Sequence, residues 1–494
     1  MPDSIWIRMP AGMGRLFANP TYNWGYVTHA GPEYGGRELY LPQGKVLGGS
    51  SCINGMAFVR GHRQDYDQWE SLGASGWGWT SVLPYFRRLE QWHGVPSELR
   101  GTSGPLSVCE PVFRHSSSTA FVEAAMAAGL PRNPDYNGAS QAGAGFLQFS
   151  IDRGERDSSY SAWLAAALRR RNLTVTTGAR VHRVLIERGR AVGVRYAKGT
   201  QVHEVRAQGE VIVAGGAIGS PQILLHSGIG AAADLNRVGV PVVLDVPGVG
   251  RNLIDHPYLQ PTYTTRRPHQ SLNRHLRGWR VLAHGGGWLL AGRGPLTIGA
   301  SQAVAFVQTS NEDRPSLQLN FRPISFQYDA SGRLSADLVG RITAAACVLR
   351  PKSRGSLRLT SADPAAAPEI HTAYLENPTD VETMVEGLGW MRRIFSEEPL
   401  RSIVLKEDVP GVEVRTRDQL RDFARRMSRT MCHPVGTCRM GNDASAVVDS
   451  ALRVRGLERL RVIDSSVMPD IVSGNTAAAT YMIAERGADL LRAG

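Results

Sequence analysis

The stretch EVIVAGGAIGSPQILLHSGIG, residues 210–230, limits what this chain can fold into more than any other. An unbroken apolar run, Val211–Ala214, meets Gly215-Gly216 and then a helical pattern predicted over Ser220–His226. A strand apolar on both faces is buried on both faces, and feeding straight into a helix marks the α/β crossover. Upstream, residues 173–215 alternate at period two around turns at Arg188-Gly189-Arg190 and Lys198-Gly199, which predicts a meander of short strands. Helical spacing predicts further helices at Ser161–Arg171, Pro378–Phe395 and Thr476–Arg492. Between residues 256 and 430 the runs QAVAFVQ, LQLNF and ITAAACVLR read as strands of a second domain built on an antiparallel sheet.

At 494 residues the chain is long enough for two or three domains. Its net charge of +12 raises the question of nucleic acid, yet only four of its 56 basic residues are lysines and the arginines are scattered. No nucleic-acid partner is expected. Five cysteines in no framework spacing point to reduced thiols and a cytoplasmic protein. Cys432 and Cys438 flank His433 without completing a ligand set, so no metal is expected. No run of 18 apolar residues occurs, and no integral membrane segment is expected.

Chemistry concentrates near the C-terminus. TMCHPVGTCRMG sets His433 in a glycine-bearing turn, LRVID ends in Asp464-Ser465, and SGNTAAATYMIAERGADLL opens a helix at Asn475-Thr476. A helix N-terminus offers free N–H groups and partial positive charge to an electron-rich ring, and a nearby histidine can take a proton. Asn475 suits a helix N-cap as well as a ligand to a substrate oxygen. A second stretch, LPQGKVLGGSSCINGMAFVRG at 41–61, puts Gly49, Ser50, Asn54 and Gly55 where backbone must approach a ligand closely. His256 in IDHP reads as structural, His29, His62 and His226 show no partner, and Trp77 and Trp79 read as packing a turn.

Three stretches together resemble the glucose–methanol–choline (GMC) oxidoreductases: GKVLGGSSCINGMAFVRG at 44–61, GGAIGSPQILLHSGIG at 215–230, and HPVGTCRMG with VIDSSVMPDIVSGNTAAAT from 433 onward. NWGYVT and VPGVGRNLIDHP support them, and the choline-dehydrogenase-like alcohol dehydrogenases are the most similar branch. The resemblance implies FAD in a doubly wound, Rossmann-like α/β domain (residues 1–63, 146–255 and 430–494). It also implies an α+β substrate domain on an antiparallel sheet (residues 64–145 and 256–429). It makes His433 the base that accepts an alcohol proton and Asn475 its partner on the substrate oxygen. It places Gly49, Ser50, Asn54 and Gly55 along the flavin and the Val181 backbone at the adenine. Asp464 and Ser465 fall near the ribityl chain, and Thr476 and Ala477 at the pyrimidine edge. Ile53 holds the place of the histidine that links flavin covalently in some members, so non-covalent FAD is expected. The implied reaction oxidises a primary or secondary alcohol, with electrons passing to a quinone or other non-oxygen acceptor. A peroxide-forming oxidase, a hydroxynitrile-lyase-type activity and a truncated inactive remnant stay open as alternatives.

One departure stands out. Family members open with a strand, a GxGxxG turn and a helix, and that βα unit has no counterpart here. GIGAAA at 228–233 follows a helix, and AGMG near the start lacks a third glycine. The expectation is an upstream start or a longer parent sequence that supplies the unit.

Overall fold

The computed structural model describes residues 4–29, 31, 36–276, 278–299, 301–309, 312–328 and 334–493. Its largest sheet has eight strands, every pair antiparallel. The main path runs Val404–Val409, Thr262–Thr265, Arg341–Val348, Leu317–Arg322, Ala303–Val307, Gly143–Phe146, with Pro257–Leu259 and Arg429–Thr430 attached at one side. The strand LQLNFR shows how this sheet is built. Leu317, Leu319 and Phe321 pack with Phe121, Met391, Ile394 and Phe395 from the helices Ser116–Ala127 and Pro378–Ser396. Strand side chains alternate between faces, so Gln318, Asn320 and Arg322 share the opposite face. That polar face turns toward the site.

The α/β part holds the parallel pair Val211–Val213 and Leu460–Val462. Both strands end in segments that feed the site: Gly216–His226 begins a helix after the first, and Asp464-Ser465 follows the second. One large apolar cluster, including Val213, Ile218, Leu224, Val462, Val467 and Met482, packs these strands against the helices Gly216–His226 and Ala477–Arg492. Residues 60, 90, 100 and 135 form a buried charge cluster. Glu90 bonds Arg60 and accepts from Arg100 Nε at 2.9 Å, and Arg100 also reaches Asp135 at 2.6 Å. Arg60, Glu90 and Arg100 side chains are fully buried, and burial pulls the Arg60 guanidinium down to about 10.

Local expectations are corrected in several places. The meander starts at Ala179, because residues 173–178 find no strand to pair with and Leu173 and Val175 stay exposed. The helix expected at Ser161–Arg171 is a π-turn over Tyr160–Leu164 and one short turn, Ala165–Ala167. The helix expected at Ser220 begins at Gly216, four residues earlier than its apolar spacing indicates. The C-terminal helix begins at Ala477, not Thr476, and Thr476 is its N-cap. His62 caps the helix Arg63–Ser71 in a box with Asp65, and His29 lies 3.9 Å from Glu38, so both have partners. Trp79 starts the helix Trp79–Leu89, while Trp77 is buried and donates to the Ser450 carbonyl at 2.9 Å.

Candidate active site

A cavity of about 1970 Å³ runs between the two parts, lined by His433, Asn475, Gly49, Ser50, Asn54, Gly55, Val181, Asp464, Ser465, Thr476 and Ala477. His433 and Asn475 meet on its wall, 3.1 Å apart from Nε2 to Nδ2. His433 reaches this place because residues 432–435 turn sharply, with Cys432 at φ 62° and Val435 bridged to Ile254. Asn475 comes from the opposite side, two residues before the C-terminal helix. Its amide does not cap that helix, contrary to one sequence reading. Asn475 Oδ1 accepts from Gln318 Nε2 at 3.2 Å, and Gln318 also donates to Asn320 Oδ1 at 3.0 Å. The carbonyl end of the carboxamide is therefore turned to Gln318 and its N–H end to His433.

A third residue decides which nitrogen of His433 carries the proton. His256 Nδ1 lies 3.0 Å from His433 Nδ1, and His256 Nε2 lies 2.9 Å from the Leu349 carbonyl oxygen. A carbonyl only accepts, so His256 Nε2 carries the hydrogen. Neutral His256 then has a bare Nδ1, which accepts from His433 Nδ1–H. The lone pair of His433 is left on Nε2, facing Asn475 and the cavity. His256 is thus more than a structural loop histidine: it selects the tautomer that a base requires.

Burial enforces the neutral state of both rings. It pushes His256 down to about 4. Burial first, and the neighbouring His256 second, hold His433 well below the ordinary value of 6.5. Beneath them Asp255 locks the two segments together. Its Oδ1 accepts the backbone N–H of His256 at 2.7 Å and of His433 at 2.8 Å, while Oδ2 accepts from Tyr374 and Thr430, each at 2.5 Å. Burial raises the Asp255 carboxyl, and these four donors oppose the rise.

The rest of the cavity is tested against a flavin dinucleotide by its shape and donors. At Gly49 (φ +56°) and Gly216 (φ +75°) an added Cβ would meet no atom within 4 Å. Both glycines line the cavity, so side chains there would project into open space that a ligand can fill. The helices Gly216–His226 and Ala477–Arg492 both start on the cavity without an N-cap side chain, and apart from Gly216 N, which Asp464 takes, their first-turn N–H groups are left for an anion or an electron-rich ring edge. Val181 lies at the cavity edge on the strand Ala179–Glu187. The donor set fits FAD.

Several predicted contacts prove to be partly committed to the protein itself. Asp464 accepts from Ser220 Oγ at 2.5 Å, Gly216 N at 2.8 Å and Ser466 N at 2.8 Å, so it braces the glycine turn. Ser50 Oγ bonds Gly44 N at 3.0 Å and Gln43 at 3.2 Å. Asn54 Oδ1 accepts from Met56 N at 3.0 Å and from Arg156 at 2.8 Å. Arg156 itself was not singled out from sequence. Buried, it ties the carbonyls of Ile7, Ser51 and Asn54 to one guanidinium and so fixes the loop over 51–54. Among the described residues no group of three or more His, Cys, Asp or Glu is placed to hold a metal, and no helix is long and apolar enough to cross a membrane.

Comparison with known proteins gives the same picture. Two family models, both described as GMC oxidoreductase, match residues 21–258 and 351–484. An oxygen-dependent choline dehydrogenase of Rhizobium etli is 39% identical over 98% of this chain and 88% of its own length. An alcohol dehydrogenase [acceptor] of Pseudomonas putida is likewise 39% identical, with the same coverage of both chains. Among solved structures, pyridoxine 4-oxidase from Mesorbium loti superposes with a TM-score of 0.89 at 29% identity, covering 99% of this chain and 92% of that one. A formate oxidase of Aspergillus oryzae superposes with a TM-score of 0.92 at 25% identity, covering 100% of this chain and 92% of that one. With its glycine cradle, two open helix ends and paired His433 and Asn475 set in this fold, the chain belongs to the GMC oxidoreductase family.

Proposed function

We propose that this FAD-dependent oxidoreductase, which acts on CH–OH donors, oxidises a primary or secondary alcohol to its carbonyl with His433 as base. The observation that carries this reading is the ordered chain Leu349 carbonyl, His256, His433, Asn475, which puts the single lone pair of His433 on Nε2 at the cavity wall, where it accepts from the Asn475 N–H. The alcohol hydroxyl takes the place of the Asn475 N–H as the donor to His433 Nε2, and that N–H turns to the same alcohol oxygen. Taking that proton raises electron density at the carbinol carbon and makes it a better hydride donor, a contribution of ~10²–10⁴ in rate for a positioned base. FAD, when bound, supplies the hydride acceptor. The loop over 49–55, Asp464-Ser465, Thr476-Ala477 and the Val181 edge are the residues proposed to hold it. The domain division proposed from sequence assigns all of these residues to the cofactor domain at 1–63, 146–255 and 430–494.

Ile53 is buried with Ile7, Leu16 and Cys52 and offers no nucleophile, which supports non-covalent FAD. Acid precipitation that leaves flavin in the pellet would overturn this. For reoxidation we favour a quinone or other non-oxygen carrier, although one relative's name leaves the acceptor unspecified and another's names oxygen. Peroxide formed in step with carbonyl would decide for the oxidase reading instead. The base assignment is tested by anaerobic mixing of holoenzyme with alcohol: His433→Ala should slow flavin bleaching by about 10²-fold or more. An undiminished rate overturns it.

A further inference from the structure

Arg322 ends the strand Leu317–Arg322 on the face that carries Gln318 and Asn320, and it lines the cavity. Its side-chain partners are all uncharged: Ser301 Oγ at 3.1 Å from Nε, Gln260 Oε1 at 3.1 Å from Nη1, and the Tyr258 ring at 5.7 Å. Among the described residues no carboxylate forms an ion pair with it. The cavity's described carboxylates are Glu38, on a separate strand beside His29, and Asp464, whose oxygens are taken by Ser220, Gly216 and Ser466. A guanidinium in a recessed chamber without a counter-charge is a standing invitation to an anion, and its planar fork suits a carboxylate best.

Its place on the strand sets the spacing. Gln318 holds Asn475 at the reacting end, and Arg322 lies two same-face positions further, roughly 13 Å of strand. An arginine side chain spans part of that distance. The anion therefore sits several carbons from the carbinol, too far for an α-hydroxy acid. Leu272, Leu276, Ile298 and Ile324 line the same cavity and suit an intervening methylene chain.

We propose that Arg322 makes this chamber selective for an ω-hydroxycarboxylate, an alcohol whose far end is an anion, and against quaternary ammonium alcohols. This separates the chain from relatives named choline dehydrogenases, because a trimethylammonium group would face the guanidinium in a low-dielectric pocket. The inference rests on the alcohol-oxidising reading of His433, but its binding arm does not.

The test uses the FAD-loaded protein. Anaerobic bleaching with ω-hydroxyhexanoate, hexanol and choline gives three values of the reduction rate over the dissociation constant. The acid is expected to exceed hexanol by about 10- to 100-fold, the usual span for a charge-assisted bond, with choline weakest. Calorimetric titration with hexanoate should show binding that weakens by about 10- to 100-fold in Arg322→Leu and less in Arg322→Lys. The acid-to-hexanol ratio should fall toward one in Arg322→Leu. Choline or hexanol preferred by the wild type, or hexanoate bound equally by Arg322→Leu, overturns the proposal. Tight hexanoate binding without bleaching by any alcohol upholds the anion site and sinks the oxidase-or-dehydrogenase reading alone.

Discussion

His256 and His433, 177 residues apart in sequence, meet Nδ1 to Nδ1 at 3.0 Å with their rings at 88°. The perpendicular contact lets one ring's lone pair receive the other's N–H without stacking. Replacing His256 with Phe keeps a ring and removes the acceptor. His433 then has no reason to keep its proton on Nδ1. We expect the rate of flavin reduction to fall by about 10- to 100-fold, with flavin content unchanged, a smaller loss than removing the base itself. Stopped-flow reduction of the purified variant checks this, and an unchanged rate would remove His256 from the mechanism.

The acidity of His433 gives a pH prediction. Protonation of Nε2 destroys the lone pair, so activity is lost as pH falls through the value of His433 in the free enzyme. Burial holds that value well below 6.5. The acid limb of kcat/KM should therefore lie below pH 6.5, with a plateau through neutrality. A midpoint at or above 6.5 would show that another group governs the limb.

Gln318 fixes which way the Asn475 amide points, through the 3.2 Å bond to Oδ1. In Gln318→Leu the carboxamide is free to rotate and offer its oxygen to His433, where it repels the lone pair. Turnover should drop about 10-fold, the scale of one buried hydrogen bond, while Asn475→Ala should lose at least as much. The double variant should be no worse than Asn475→Ala, since both changes act through one group; additive losses would contradict this.

Gly49 supplies a cofactor test independent of rate. Its φ of +56° disfavours a branched side chain, and a Cβ there enters the cavity rather than protein. Gly49→Val should be purified with markedly less FAD, read from the ratio of flavin to protein absorbance. Full flavin occupancy would show that the cradle lies elsewhere.

Removing Glu90 from its buried cluster with Arg60 and Arg100 should strand two guanidinium groups in a dry interior. Glu90→Leu is expected to lower stability by about 3–5 kcal/mol in urea unfolding. A loss under 1 kcal/mol would mean that Asp135 alone compensates the two cations.

The sequence made His433 and Asn475 visible because each stands at an abrupt change of local pattern, a glycine turn in one case and a helix start in the other. It could not show what they touch. His256 looked inert because its partner lies 177 residues away, and Asn475 looked like a cap because capping is the local use of an asparagine there. The antiparallel sheet was readable from the strand-like runs LQLNF and ITAAACVLR, which no helical pattern separates, whereas parallel neighbours need a crossover helix. Its polar alternation, which puts Gln318, Asn320 and Arg322 on the wall of the site, acquired meaning only once the opposite face was seen packed on Phe121 and Phe395. Residues 173–178 misled for the converse reason: alternation is necessary for a strand, but a neighbour must be there to pair with it.

The proton of His256 Nε2 rests on the carbonyl of Leu349, the residue immediately after the strand Arg341–Val348. His433, the proposed base, is thereby oriented through His256 from the antiparallel sheet and not from the loops proposed to hold the cofactor. A core change beneath that strand, made to admit a different alcohol, would tilt the reference point and shift the base with it. On the proposed mechanism, tuning what enters and tuning how fast it reacts become a single adjustment.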